Sequence, residues 1–490
     1  MKLNRMPKMN KYISALILLS VPQVLFAAQS EFEAYRQQQM QGVQQAKTEF
    51  REYKEQQDRE FAGFLKSQWS QFETFQGVVR IKEPEPKVAP VAPLVAGAKP
   101  LVVAPIAAPV VPPPPQPKPV PVAADQMELV FYGNPVRFSF DPQWQSYRLT
   151  GGATPEAFSD FWGLMSGSKY ESAIQSINSA RRELKLDDWG YLTLWRSVAQ
   201  ALQPGRKSEQ NLLLWYFLVK SGYDVRLGYY GSDVHLFEAI KQQVYSTKYT
   251  KVLDQKYYAA LAEDHGNGIR AFYSYNAKYP TKLNALDIQN AATGFTKAVP
   301  AQRTLGFDYK GKPIKFTVTY DRRLVEYMGT FPQTEFELYF DTDGSSLLRG
   351  ALLSELKKYT ATMGEEEAVN FLLAFVQKAF AYKTDAEQFG YEKYFFVEEN
   401  MYFPFNDCKK RSVLFAWLVR ELVGIKVVGV LYPGHMTTAV QLKQMNANYF
   451  TVDYQGKRFV IADPTYIGAS VGMAMPSYEK YKPTRMVDIQ

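Results

Sequence analysis

The sequence predicts an α+β protein made of two tandem copies of one domain, the first degenerate, preceded by a long N-terminal helix and a proline-rich linker. Three observations carry this. Short motifs recur in the same order across residues 127–490. Apolar positions at helical spacing are followed by short strand-like runs ending in turn residues. Residues 83–126 have a Pro/Ala/Val composition that cannot build a core. The 490 residues are long enough for more than one domain.

The first segment, residues 1–28, reads as an export signal. "MKLNRMPKMNKYIS" is basic, "ALILLSVPQVLFAA" is a short apolar run broken by Pro22 and Gln23, and small residues mark a cleavage point near Ala27 or Ala28. The run is too short and interrupted to span a bilayer, and no later segment is long and apolar enough to do so. The expected location is the periplasm or the cell surface of a bacterium.

Residues 29–82 read as an amphipathic helical segment. Phe50, Phe61 and Phe72 recur every eleventh residue, as do Tyr53 and Phe64, a period that holds one helical face. Such a helix either docks on its own protein or self-associates as a stalk. Residues 83–126 then read as a semi-rigid polyproline spacer.

The repeat occupies residues 127–297 and 298–490. "YGNPVRFSF" (132–140) is matched by "KGKPIKFTV" (310–318), and "LLWYFLVKSGYDVRLGYYGSDVH" (213–235) by "VLFAWLVRELVGIKVVGVLYPGH" (413–435). "SYNAKYPT" (274–281) is matched by "SYEKYKPT" (477–484). The first pair lies 178 residues apart (310 − 132) and the second 200 apart (413 − 213), so the second copy holds extra residues between them. They fall in "YKTDAEQFGYEKYFFVEENMYFPFND", directly before Cys408, in the loop 381–407 that is a candidate lid. In the first copy this alignment puts Ser208 at the place of Cys408.

Cys408 is the only cysteine. Exported proteins use cysteines in pairs, so a single thiol there is a liability without a role. It opens an apolar helix that Asn406 or Asp407 can cap. At a first helical turn, the dipole and the neighbouring Lys409, Lys410 and Arg411 would stabilise a thiolate. Downstream, His435 leads a strand after the turn Pro433-Gly434, and Asp463 ends the second strand of a hairpin turning at Gln455-Gly456. An imidazole can take a thiol proton, and a carboxylate can orient the imidazole. Of three histidines, His235, His265 and His435, only the last shares a copy with the cysteine.

These residues, "NDCKKRSVLFAWLVREL", "GHMTTAV" and "FVIADPTY", resemble the transglutaminase-like superfamily of cysteine enzymes, which has a papain-like core. The resemblance covers about residues 370–468. It implies a nucleophile at Cys408, a base and acid at His435, and an orienting carboxylate at Asp463. No glycine precedes the "DC", where many relatives have one, and no side-chain oxyanion donor stands out.

The expected function is an exported cysteine enzyme acting on amide bonds of a protein, peptide or cell-wall substrate, by hydrolysis or amide transfer through a thioester. A non-catalytic envelope binding or assembly protein on the same scaffold is the alternative, and acyl transfer to a small molecule a third. No cofactor is expected, and one cysteine with few histidines argues against a structural zinc. The net charge of +8 is modest and no dense basic patch interleaves with aromatics, which argues against nucleic acid.

Overall fold

A computed structural model describes residues 13–79, 85–93, 118–259, 269–276, 278–289 and 294–489. Within it the chain is mixed helix and antiparallel sheet, an α+β protein. Residues 94–117 of the predicted spacer, His265, and Ala260 and Leu261, candidates for the place of Asp463 in the first copy, lie outside the described residues.

Residues 1–64 form a unit of their own. Its helix α1, Ile13–Leu65, leaves Tyr35, Met40, Val43, Phe50 and Tyr53 exposed. No helix among the described residues is long and apolar enough to cross a membrane. The helical segment ends earlier than its periodicity predicts. Residues Trp69–Glu73 form a strand, β1, not helix. Trp69 and Phe72, three apart, fit one helical face, yet they fall on opposite faces of the strand. Pairing with a sheet from residues far along the chain settles it.

The second unit, residues 65–490, carries two larger sheets with their helices and two small ones, of three and two strands, among the described residues. The remaining strands, in chain order, are β2 (Val120–Ala123), β3 (Gln126–Phe131), β4 (Asn134–Ser139), β5 (Val225–Tyr230), β6 (Asp233–Ala239), β7 (Tyr249–Val252), β8 (Gln255–Ala259) and β9 (Ala271–Tyr275). They continue with β10 (Pro300–Tyr309), β11 (Lys312–Asp321), β12 (Val427–Tyr432), β13 (His435–Val440), β14 (Thr451–Tyr454), β15 (Lys457–Ala462) and β16 (Arg485–Asp488). Four further helices matter for the site: α2 (Asp188–Leu202), α3 (Lys207–Lys220), α4 (Glu365–Ala379) and α5 (Cys408–Leu422).

One sheet runs β9-β5-β6-β8-β7, with β1 added beside β9, and the other runs β16-β12-β13-β15-β14. Strand for strand the two orders correspond, and every pairing is antiparallel. Each sheet packs on a central helix, α3 on β5 and β6, α5 on β12 and β13. A second helix, α2 or α4, covers that helix in turn. Each set follows a hairpin, β3–β4 or β10–β11.

The two central helices end alike, each followed by a glycine in the left-handed region, Gly222 (φ 91°) and Gly424 (φ 73°). The hairpins begin alike, with Tyr230 opposite Asp233 and Tyr432 opposite His435. Counted from these fixed points, the first-half residue opposite Cys408 is Arg206, and the one opposite His435 is Asp233. The matches of Ser208 and His235 drawn from the sequence are therefore displaced by two positions. Apolar runs in a helix tolerate such a slip, whereas a C-cap glycine and a hairpin turn do not.

Helix α5 is the centre of the second half. Leu414, Phe415, Trp417 and Leu418 are fully buried, each worth roughly 1.5–3 kcal/mol of apolar burial. The polar first turn is buried too: Lys409, Lys410, Arg411 and Ser412 have no more than 1% of their surface exposed. A helix buried on all sides must have its charges neutralised by neighbours.

Candidate active site

Asp407 is the residue that caps α5. Its Oδ1 accepts from the Lys410 backbone N–H at 3.1 Å, and Cys408 is the first helical residue. Asn406 instead donates through Nδ2 to Asn400 Oδ1 at 2.7 Å, tying the helix start to the loop before it. One turn along, Ser412 Oγ donates to the Met436 carbonyl at 3.3 Å. The first turn of α5 therefore packs on the start of β13, the strand that His435 leads; the thiol itself bonds Glu85 and makes no hydrogen bond to His435.

His435 and Asp463 are joined directly, Nε2 to Oδ2 at 2.8 Å. The other oxygen of Asp463 accepts from the backbone N–H of Thr465 (2.9 Å) and Tyr466 (3.3 Å). This carboxylate performs two tasks that the sequence leaves as alternatives: it caps its own turn and it orients an imidazole. The imidazole lies on the Tyr478 ring, centroids 4.9 Å apart and planes 23° from parallel. Its Nδ1 is buried and has no hydrogen-bond partner. A ring held by Nε2, with an unsatisfied Nδ1, is arranged to accept a proton at Nδ1.

The environment of the thiol differs from the expectation. Burial pushes the Cys408 thiol well above its ordinary range, and the charge of Glu85 adds to the rise. The basic cluster does not offset this, because its charges are spent. Lys409 faces Glu85, Asp385, Glu392 and Asp407. Lys410 is paired with Asp385 and Asp407. Arg411 donates to the carbonyls of Gln377 (3.3 Å) and Phe380 (2.7 Å), tethering the end of α4. Within the acid pair, burial and the Asp407 charge drive Asp385 up to about 8, while the two lysines hold Asp407 low and ionised.

The loop 381–407 is a buttress more than a cover. Tyr394, Phe395, Phe396, Val397 and Met401 are buried. Glu398 accepts from the Asp321 N–H (2.5 Å) and from the N–H (3.0 Å) and hydroxyl (2.8 Å) of Ser345. Arg303 reaches the carbonyls of Asn400 (2.9 Å) and Phe403 (2.6 Å). The loop supplies Asp385 and Glu392 to the lysines and fixes the start of α5.

Two contributors escape a reading of the sequence. Gln377, buried on α4, donates to the carbonyls of Asp463 (2.9 Å) and Ala469 (3.1 Å) and accepts from the Gly468 N–H (3.0 Å). It fixes the turn that holds the carboxylate. An amide inside the apolar run "FLLAFVQKAF" is the signal for it. Glu85 is the other. Its carboxylate accepts from Cys408 Sγ at 3.6 Å and pairs with Lys409. Nothing local to residue 85 announces this.

No protein-family model, curated protein or solved structure matches the chain.

Proposed function

We propose that the chain is an exported cysteine enzyme acting on amide bonds of a protein, peptide or cell-wall substrate, with Cys408 as nucleophile, His435 as base and acid, and Asp463 as orienting carboxylate. The observation that carries this is the His435–Asp463 hydrogen bond with a buried, unpartnered Nδ1 on the strand that faces the only thiol. In the reaction, Nδ1 takes the thiol proton as sulphur attacks the carbonyl carbon. Imidazolium returns that proton to the leaving amine, and a thioester remains for water or an amine to resolve. The Asp463 carboxylate holds the ring and stabilises the imidazolium. The pattern supports membership of the transglutaminase-like superfamily. The matching strand orders support an internal duplication whose first copy lacks the cysteine and histidine at equivalent places.

The test is mass spectrometry of a peptide pool incubated with wild-type protein and with Cys408→Ala. Cleaved or amine-modified products in the wild type alone are expected. Equal products from both proteins would sink the mechanism. One observation favours the alternative, a non-catalytic envelope binding protein: the thiol is buried, protonated and covered by Glu85. Under that reading neither protein yields product.

A further inference from the structure

The residues around Glu85 belong to the segment read as an inert spacer, yet they lie along the site. Between stretches outside the described residues, 85–93 ("EPKVAPVAP") takes one defined course. At its start, the Glu85 carboxylate sits on Cys408 and Lys409, with only 5% of its side chain exposed. Tyr382 Oη then donates to the Pro86 carbonyl at 2.8 Å. Further on, the segment pairs with the turn after Asp463. The Ile467 N–H donates to Pro90 O (2.9 Å), and the Ala92 N–H donates to Ile467 O (2.8 Å), a parallel bridge at Val91. Ala92 is buried among Tyr466, Ala469 and Met475, with Tyr478 against the same cluster. Tyr478 is the ring on which His435 lies. Val88 and Val91 point outward, 78% and 64% exposed.

The contacts are those of peptide recognition: backbone pairing with a fixed partner, a small buried side chain, and an acidic side chain at one end. Proline suits the role, since a chain that is already extended loses little entropy on docking. We propose that the surface from Cys408 to Ile467 is the groove for an extended peptide, and that Glu85–Pro93 occupies it as an inhibitor in cis. This rests on the reading of Cys408 as nucleophile and gives it a substrate class. The substrate is an extended polypeptide with an acidic side chain toward the thiol and a small residue at the position of Ala92. The strap must leave before such a chain can enter. Because it is flanked by long linker on one side, it can leave without unfolding either sheet.

The test exploits the single cysteine. The rate of alkylation by iodoacetamide is measured on the full-length protein, on Glu85→Ala and on Ala92→Pro. Proline at 92 removes the N–H that bonds Ile467 and leaves both sheets untouched. Both variants are expected to react at least about tenfold faster; Ala92→Pro should keep the wild-type Tm, while Glu85→Ala, which takes one acid from the buried Lys409, should lower it. The free peptide EPKVAPVAP, at millimolar concentration, should slow them again. Reaction of all three proteins within twofold of one another, or failure of the peptide to slow either variant, overturns the inference. Alkylation reads access to sulphur whether or not catalysis occurs. Faster alkylation without amide cleavage would therefore uphold the groove and remove the enzyme. Cleavage by a wild type whose thiol is already freely alkylated would uphold the enzyme and remove the strap.

Discussion

The two halves of the large unit carry the same strand order around a central helix, and they differ at the start of that helix. In the first half, α3 begins at Lys207, an exposed lysine, after Arg206, whose side chain makes no capping hydrogen bond. In the second, α5 begins at Cys408, capped by Asp407 and buried through its whole first turn. The connection before α3 is a few residues; before α5 it is the packed loop 381–407. At the start of α3 the neighbours are neutral donors, the Val234 N–H on Ser208 Oγ (3.3 Å) and the Leu149 N–H on Glu209 Oε1 (3.2 Å). A helix start buried with two lysines needs the acids that the loop and the strap bring, since an isolated buried charge is costly. The comparison teaches that the scaffold tolerates a helix start with no side-chain cap and no buried lysine. The buried lysines with their acids, the thiol and the imidazole are found at the second helix start, which carries the candidate site.

The largest effects should come from the site itself. Cys408→Ala is expected to lower amide turnover by at least about 10³-fold, read as product formed under single-turnover conditions. Asp463→Asn should follow at about 10²–10⁴-fold, because the amide lets the ring adopt the wrong tautomer. If Asp463→Asn left the rate unchanged, the carboxylate would be a turn cap alone and the halves would be closer in kind.

Stability gives the next contrast. Lys410→Met takes from Asp385 and Asp407 one of the two buried cations they share, and should cost about 3–5 kcal/mol in denaturant unfolding. At the start of α3, Lys207→Met, opposite Lys409 in the same register, replaces an exposed lysine and should fall within about 0.5 kcal/mol of wild type. Equal losses would erase the distinction between the two helix starts.

A pH dependence separates the halves as well. Burial drives Glu398 up to about 7 despite three hydrogen bonds to its oxygens. Its folded pKa lies above the unfolded value, so folding favours the protonated form. The stability it contributes is complete below the ordinary glutamate range and is lost as pH rises through about 7. The loss is up to about 3 kcal/mol. Glu398→Gln should flatten Tm against pH across this window; an unaltered slope would assign the dependence to other groups. The smallest effect belongs to His235→Ala. It lies two positions inside its strand relative to His435, and should change turnover by less than twofold.

Much of the site was legible before any fold was known, because its parts are local. The apolar spacing of α5, the cap at Asp407, the turn at Pro433-Gly434 and the hairpin at Gln455-Gly456 follow from side-chain and backbone preferences within a few residues. Gln455 and Gly456 indeed take positive φ, 49° and 71°. The order of cysteine, histidine and aspartate along the chain then limited which groups could meet. The end of α1 was misread because the aromatic period of residues 61–72 continues into β1, where a sheet partner overrides it. The register between the halves slipped because apolar helices carry no marker of their own rotation.

What the sequence determined by itself is the inventory and its local geometry: one thiol at a helix start, one imidazole leading a strand, one carboxylate ending another. The state of that thiol was decided by tertiary structure alone. Glu85 reaches Cys408 across 323 residues of chain. The cluster of basic residues beside the thiol is neutralised by acids from the loop and the strap, and burial holds the proton on sulphur. Desolvation and ion pairing depend on everything that surrounds a group, which no window of neighbouring residues contains.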